Sequence, residues 1–210
     1  MSAEAIRARL VVAEAGRMVI RHKMREDFAD DHRWRCDPDT ARLDGNPVLD
    51  LAFDAYVRLV EKEVLFGDPN RMSFSIDLDG RHVGNVMLYN YTAGREAAEI
   101  GISLGEADVR GRGLGPAAMV ACLRYAWANL PFRRVFLHTF EWNERAWRSF
   151  ERAGFSEVSR LERWGSVLIR MEARREWWLL WDGEGRFEAV LRRALVPPLP
   201  AVEPGSSVAG

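Results

Sequence analysis

Arg110-Gly111-Arg112-Gly113-Leu114-Gly115 puts three glycines into six residues, between two segments of opposite periodicity. Upstream, Ala98-Glu99-Ile100-Gly101-Ile102-Ser103-Leu104 reads as an apolar strand, and downstream Pro116 to Asn129 reads as a helix. A strand that turns through glycines directly into a helix points several backbone N–H groups outward at the positive end of the helix dipole. Glycine also removes the Cβ that would hold an anion at a distance. The turn therefore suits a phosphate; the plainer alternative is a strand-to-helix turn with no ligand.

The surrounding pattern is that of a mixed α/β chain. Arg17 to Arg21 reads as a first short strand, and Arg25 to Trp34 as a polar helix stopped near Asp37-Pro38, because proline disfavours helix in the residue before it. Gly45-Asn46-Pro47 is a loop. Val48 to Phe66 carries apolar residues every three or four positions and reads as an amphipathic helix. From Arg71 the period becomes two, and Asp79-Gly80 marks a hairpin whose second strand runs from His82 to Tyr91. Thr92 to Arg95 is a turn into the strand at Ala97–Leu104. Met119, Leu123, Ala126 and Leu130 share one face of the following helix, which Leu130-Pro131 ends. A buried strand at Arg134–Phe140, a short helix at Asn143–Ala153 and two strands near Glu157–Arg163 and Val167–Glu172 complete the pattern, with a turn at Trp164-Gly165.

Asn143-Glu144-Arg145-Ala146-Trp147-Arg148-Ser149-Phe150-Glu151-Arg152-Ala153-Gly154-Phe155 adds a second motif. Together with the glycine turn and the acidic strand before it, this segment resembles the GNAT superfamily of acetyl-CoA-dependent N-acetyltransferases. Members typically carry an acidic strand, then R/Q-x-x-G-x-G/A, and later N-x-x-A-x-x-x-Y-E-x-x-G-F. Order and spacing hold here over residues 16 to 175, with one departure: Phe150 stands where many members have Tyr. Trp34-x-x-Asp37-Pro38 in the polar first helix looks like the branch that acetylates ribosomal-protein N-termini; polyamine or antibiotic amines are the alternative within the family.

The resemblance implies a central twisted, mostly antiparallel sheet with helices on both faces, and acetyl transfer from acetyl-CoA to a primary amine. It implies that Arg110, Gly111, Arg112, Gly113, Leu114 and Gly115 cradle the cofactor's pyrophosphate, and that backbone groups near Ile102, Ser103 and Leu104 pair with its pantetheine arm. Asn143 either hydrogen-bonds that arm or caps its helix, a position where Asn is favoured. Phe150 joins the same cofactor wall but cannot protonate the departing thiolate; Ser149, Tyr89 and Tyr125 are hydroxyls within the motif regions, and spacing singles out none of them.

Strand alternation places Glu99 with Ala97, Gly101 and Ser103, opposite the Ile100 and Ile102 face that belongs in the core. An ammonium of pKa about 10 has no lone pair at neutral pH, so acyl transfer to it needs a base. The resemblance assigns that role to Glu99, directly or through water. A carboxylate that fixes a loop or binds the substrate cation is the alternative.

Composition limits the other classes. Among 210 residues, 48% hydrophobic and 29% charged, no apolar run nears the roughly 20 residues of a membrane span, and Met1 to Leu10 lacks a signal-peptide core; a cytoplasmic protein is expected. Cys36 and Cys122, and His22, His32, His82 and His138, show no ligand spacing, so no metal is expected and the histidines read as structural or surface residues. Residues 1–109 hold 14 Lys and Arg against 20 Asp and Glu, and residues 110–210 hold 16 against 11. A basic second half suits a polyanionic cofactor. No basic run is long enough to track a nucleic acid.

Residues 1–175 are thus expected to form the acetyltransferase domain, and 176–195 an aromatic, helical extension around Trp177-Trp178-Leu179-Leu180-Trp181. That cluster either packs on the domain or forms a homodimer contact. Residues 196–210, rich in Pro, Ser and Gly, read as a flexible tail.

Overall fold

The computed structural model describes residues 11–163 and 165–193. The expectations for residues 1–10, for Trp164 and for the tail at 196–210 lie outside the described residues.

Val11–Ala15 (β1) and Met18–His22 (β2) pair antiparallel, one strand more than the sequence pattern announced. β1 lies at the sheet edge, half-exposed, and so carries no alternating signature. After a 3₁₀ turn at Arg25–Asp27 comes Phe28–Cys36 (α1). Asp37-Pro38 does end that helix, but it also begins another, Pro38–Leu43 (α2). Pro38 occupies the first turn, where a missing N–H has no cost, and Asp37 caps it, accepting from the Thr40 N–H at 2.8 Å and the Thr40 hydroxyl at 2.6 Å. Phe53–Phe66 (α3) starts later than the Val48 expected. The segment before it is drawn out along α1: the Leu49 N–H donates to the Arg35 carbonyl, and His32 Nε2 lies 2.7 Å from the Leu51 carbonyl.

Met72–Leu78 (β3) and Arg81–Tyr89 (β4) form the expected hairpin. Asp79 and Gly80 both have positive φ, 52° and 79°, as its two-residue turn requires. Ala97–Leu104 (β5), Leu114–Asn129 (α4), Arg134–Phe140 (β6), Glu144–Arg152 (α5), Ser156–Arg163 (β7) and Ser166–Arg174 (β8) follow as anticipated, α4 starting slightly earlier, at Leu114. The strands form one eight-stranded sheet in the order β1-β2-β3-β4-β5-β6-β8-β7. Every described neighbour pair is antiparallel except β5 with β6.

α4 fills the core on one face of the sheet. It is apolar almost all round, burying Ala117 to Leu123 without a break, not only the single face its periodicity suggested. The reason lies at the C-terminal end: Arg175–Gly183 (α6) and Glu188–Arg193 (α7) cover the outer side of α4. Trp178 and Phe187 are fully buried and stack at 4.6 Å; the Trp178 indole N–H donates to the Ala153 carbonyl at 2.8 Å. Gly154, at φ 91°, admits this ring, since a Cβ there would lie 2.7 Å from it. The Arg124 guanidinium grips both carboxylate oxygens of Asp182. The aromatic cluster therefore packs inward through Trp178, while Trp177, Leu179 and Leu180 stay exposed.

The opposite face, under α1 to α3, is polar. Arg21, 1% exposed, donates to both Asp27 and Asp77, and Ser75 and the Met24 N–H also donate to Asp27. Every oxygen of the buried Asp27 carboxylate is thereby satisfied, which a buried charge demands.

Candidate active site

β5 and β6 are paired only from Ala97 to Glu99 on β5. From Ile100 onward β6 pairs with β8 alone, and β5 with β4 alone. The two central strands diverge, and a cleft of about 460 Å³ opens between them. Its walls come from Ile100–Leu104 on one side and Leu137–Phe140 on the other. The β5 edge facing the cleft has no strand beside it, so its backbone groups are available to an extended ligand.

The glycine turn closes one end. Gly111 and Gly113 have φ of 79° and 84°, the left-handed region that favours glycine, and the Gly111 Cβ position faces open space. Gly113 is the N-cap of α4, so the helix's first N–H groups emerge here. The Arg110 side chain does not point outward; it donates to the carbonyls of Leu104 and Gly105 and to the Thr40 hydroxyl, all at 2.8–2.9 Å, and fixes the loop to β5 and α2. Arg112 is exposed and outside the cleft wall, and the Leu114 side chain is in the core, leaving only its backbone to the turn. Gly111, Gly113, Gly115, Ile102, Ser103, Leu104, Asn143 and Phe150 all line the cleft. Asn143 caps α5, its Oδ1 accepting from the Ala146 N–H at 3.3 Å, and Phe150 packs edge-on against Phe155. Of the three hydroxyls left open, Tyr125 packs against Phe74 away from the cleft, while Tyr89 and Ser149 line it, Ser149 beside Gly115.

Glu99 sits just behind the wall, with its side chain 13% exposed. Its carboxylate is bonded from three sides: His138 Nδ1 at 2.8 Å, Asn90 Nδ2 at 2.8 Å and the Tyr89 hydroxyl. Burial, then Glu99, push the Tyr89 phenol up to about 12, so it stays a donor. His138 and Tyr89, not Glu99, present this cluster to the cleft. An ionised carboxylate only accepts, so the Nδ1 that faces Glu99 is the protonated one, and in the neutral imidazole the lone pair is then on Nε2. The sequence reading placed His138 among structural or surface residues. The signal it lacked is the β5–β6 register: Glu99 is opposite Phe136, which brings His138 to its side. That parallel pairing joins residues 39 positions apart, and no local pattern encodes it.

Among the described residues no group of three or more His, Cys, Asp or Glu stands close enough to hold a metal ion, and no helix is long and apolar enough to cross a membrane.

A splayed parallel pair and a glycine turn at a helix N-terminus thus meet in one cleft, with an imidazole backed by a carboxylate at its wall. Residues 17–156 match the family model of the acetyltransferase (GNAT) domain, and the chain belongs to that family. Solved structures share the fold at low identity. Spermidine N-acetyltransferase from Vibrio cholerae, in complex with CoA and spermine, superposes with a TM-score of 0.70 at 20% identity, covering 78% of this chain and 98% of that one. Mycobacterium smegmatis RimJ, in complex with CoA-disulfide, gives 0.66 at 20% identity over 83% and 92%. Aminoglycoside acetyltransferase AAC(6')-Ib, in complex with coenzyme A, gives 0.62 at 16% over 76% and 95%.

Proposed function

We propose that the protein moves an acetyl group from acetyl-CoA to a primary amine by direct attack in a ternary complex. The observation that carries this reading is the shared cleft. The glycine turn and the unpaired edge of β5 lie at one wall, and His138, backed by Glu99, at the other. The residues fit the donor: Gly111 leaves room for a diphosphate, Gly113 takes the left-handed turn into the helix, and the α4 N-terminus faces the cleft with free N–H groups. Backbone groups of Ile102 to Leu104 run beside the pantetheine arm. Donors aimed at the thioester oxygen stabilise the charge that develops there.

His138 Nε2 takes the proton of the incoming ammonium, and Glu99 holds the ring in the right tautomer and balances the imidazolium that forms. Asn90 and Tyr89 fix the carboxylate in turn. On the donor wall Ser149, beside Gly115, is the hydroxyl available to the departing thiolate. The acceptor is a small-molecule amine or a protein N-terminus, the latter as in the ribosomal-protein branch suggested by Trp34-x-x-Asp37-Pro38. Cytoplasmic location accords with use of acetyl-CoA. A homodimer through the exposed Trp177 and Leu180 is compatible with this cleft, which lies elsewhere.

The test is release of free CoA thiol from acetyl-CoA on addition of amines, read against calorimetric CoA binding. A protein that binds CoA yet acetylates no amine is a CoA-binding scaffold, the rival that Phe150 in place of Tyr favours.

A further inference from the structure

The acceptor side of the cleft is cationic. Arg35, from α1, lines it; its Nε is buried and meets no hydrogen-bond partner, and no ion pair engages its guanidinium among the described residues. Arg71, just before β3, lines the same cleft with its Cζ 5.9 Å from the Tyr89 ring centroid, and the Tyr89 hydroxyl reaches Glu99. Arg71 is only loosely balanced: Glu63 is 3.3 Å away and also accepts from the Ser73 hydroxyl at 2.5 Å. The one carboxyl on this wall, Asp44, is pushed up by burial, against the pull of Ser103, Arg110 and Arg35.

A guanidinium does not shed its proton, so the cost of holding Arg35 half-buried is not relieved by titration. It is relieved by an anion with the planar, two-oxygen geometry that guanidinium matches. A polycationic acceptor would instead bring like charge to Arg35 and Arg71. The diphosphate of the donor has its own proposed site in the backbone of the glycine turn.

We infer that the acceptor is a small primary amine that also carries a carboxylate or phosphate a few bonds from its nitrogen, with the amine at His138 and the anionic group at Arg71 and Arg35. The spacing follows from Arg71 lying over Tyr89, next to the Glu99–His138 pair. This rests on the acetyl-transfer reading above and narrows it.

The experiment compares acceptors in matched pairs, following thiol release from acetyl-CoA. Each amino acid is tested beside its carboxamide, O-phosphoethanolamine beside ethanolamine, and spermidine alone. The anionic member of at least one pair should win by tenfold or more in kcat/KM, and the carboxylate and phosphate arms separate the two sources of the anion. Arg35→Gln should cut that preference at least tenfold through KM, with calorimetric CoA affinity unchanged. Arg71→Gln, at an exposed position, repeats the test should Arg35→Gln fail to fold. Equal or better turnover of the neutral members or of spermidine overturns the inference while leaving acetyl transfer intact. A fall in CoA affinity in Arg35→Gln overturns it by assigning Arg35 to the donor. No turnover of any amine by a CoA-binding protein overturns the acetyl-transfer reading, and this inference with it.

Discussion

His138 Nδ1 lies 2.8 Å from Glu99 Oε1, across the one parallel strand pair described in the sheet. The carboxylate is the better buried of the two, at 13% side-chain exposure against 37% for the imidazole. In the proposed reaction the pair therefore has an outer member, His138, and an inner one, Glu99. Glu99→Gln keeps the shape and removes the charge that favours the imidazolium. Turnover should drop at least 10²-fold, within the 10²–10⁴ span of positioned bases. Raising the pH from 6 to 9 should restore part of the rate, because more of an amine of pKa about 10 is then already neutral. A wild-type rate at every pH would make Glu99 structural.

His138→Gln tests the outer member. Because His138 and not Glu99 faces the cleft, its loss should cost turnover by a factor close to that of Glu99→Gln, and the double variant should be little worse than either alone. Additive losses would mean the two residues act separately.

Gly113 has φ 84°, so the cleanest comparison uses two side chains that both tolerate the left-handed region. Gly113→Asp and Gly113→Asn differ in charge and hardly in shape. CoA affinity by calorimetry should be at least tenfold weaker in the Asp variant, about 1.4 kcal/mol. Equal affinities would remove the diphosphate from this turn.

Phe150 packs against Phe155 and lines the cleft. Phe150→Tyr should leave the fold intact and change turnover by less than about tenfold, or about 1.4 kcal/mol of barrier. A hundredfold gain would show that the protein lacks an acid it needs and would support the scaffold reading.

Stability should depend on acid through the Arg21–Asp27 cluster. Burial alone would push the Asp27 carboxyl up, but hydrogen bonds from Arg21, Ser75 and the Met24 N–H outweigh it and hold the group well below the usual carboxylate range. Its contribution is therefore complete above the unfolded value of 3.8 and is lost as pH falls further. Denaturant midpoints should be flat in this respect near neutrality and decline below about pH 4. Asp27→Asn should destabilise the fold at pH 7 by less than the about 3–5 kcal/mol of a fully unpaired buried charge, because Arg21 keeps its two bonds to Asp77.

The local signals were in the chain. Asp79-Gly80 specified its hairpin because only certain residues accept two successive positive φ angles. Three glycines between a strand and a helix specified the turn. Where the reading slipped, neighbours decided. Pro38 stopped one helix and started another because Asp37 found Thr40 to cap. The helix expected at Val48 was delayed because the Leu49 N–H went to Arg35 and the Leu51 carbonyl to His32.

The sequence by itself determined the order of elements, the donor-side turn and Glu99's place on the strand face away from the core, since each follows from spacing within a few residues. Tertiary structure alone decided which groups meet Glu99, that α6 and α7 bury the outer side of α4, and that Arg35 and Arg71 line the same cleft. Those contacts depend on strand register and on the divergence of β5 from β6, which join residues far apart in the chain and leave no periodic mark in it.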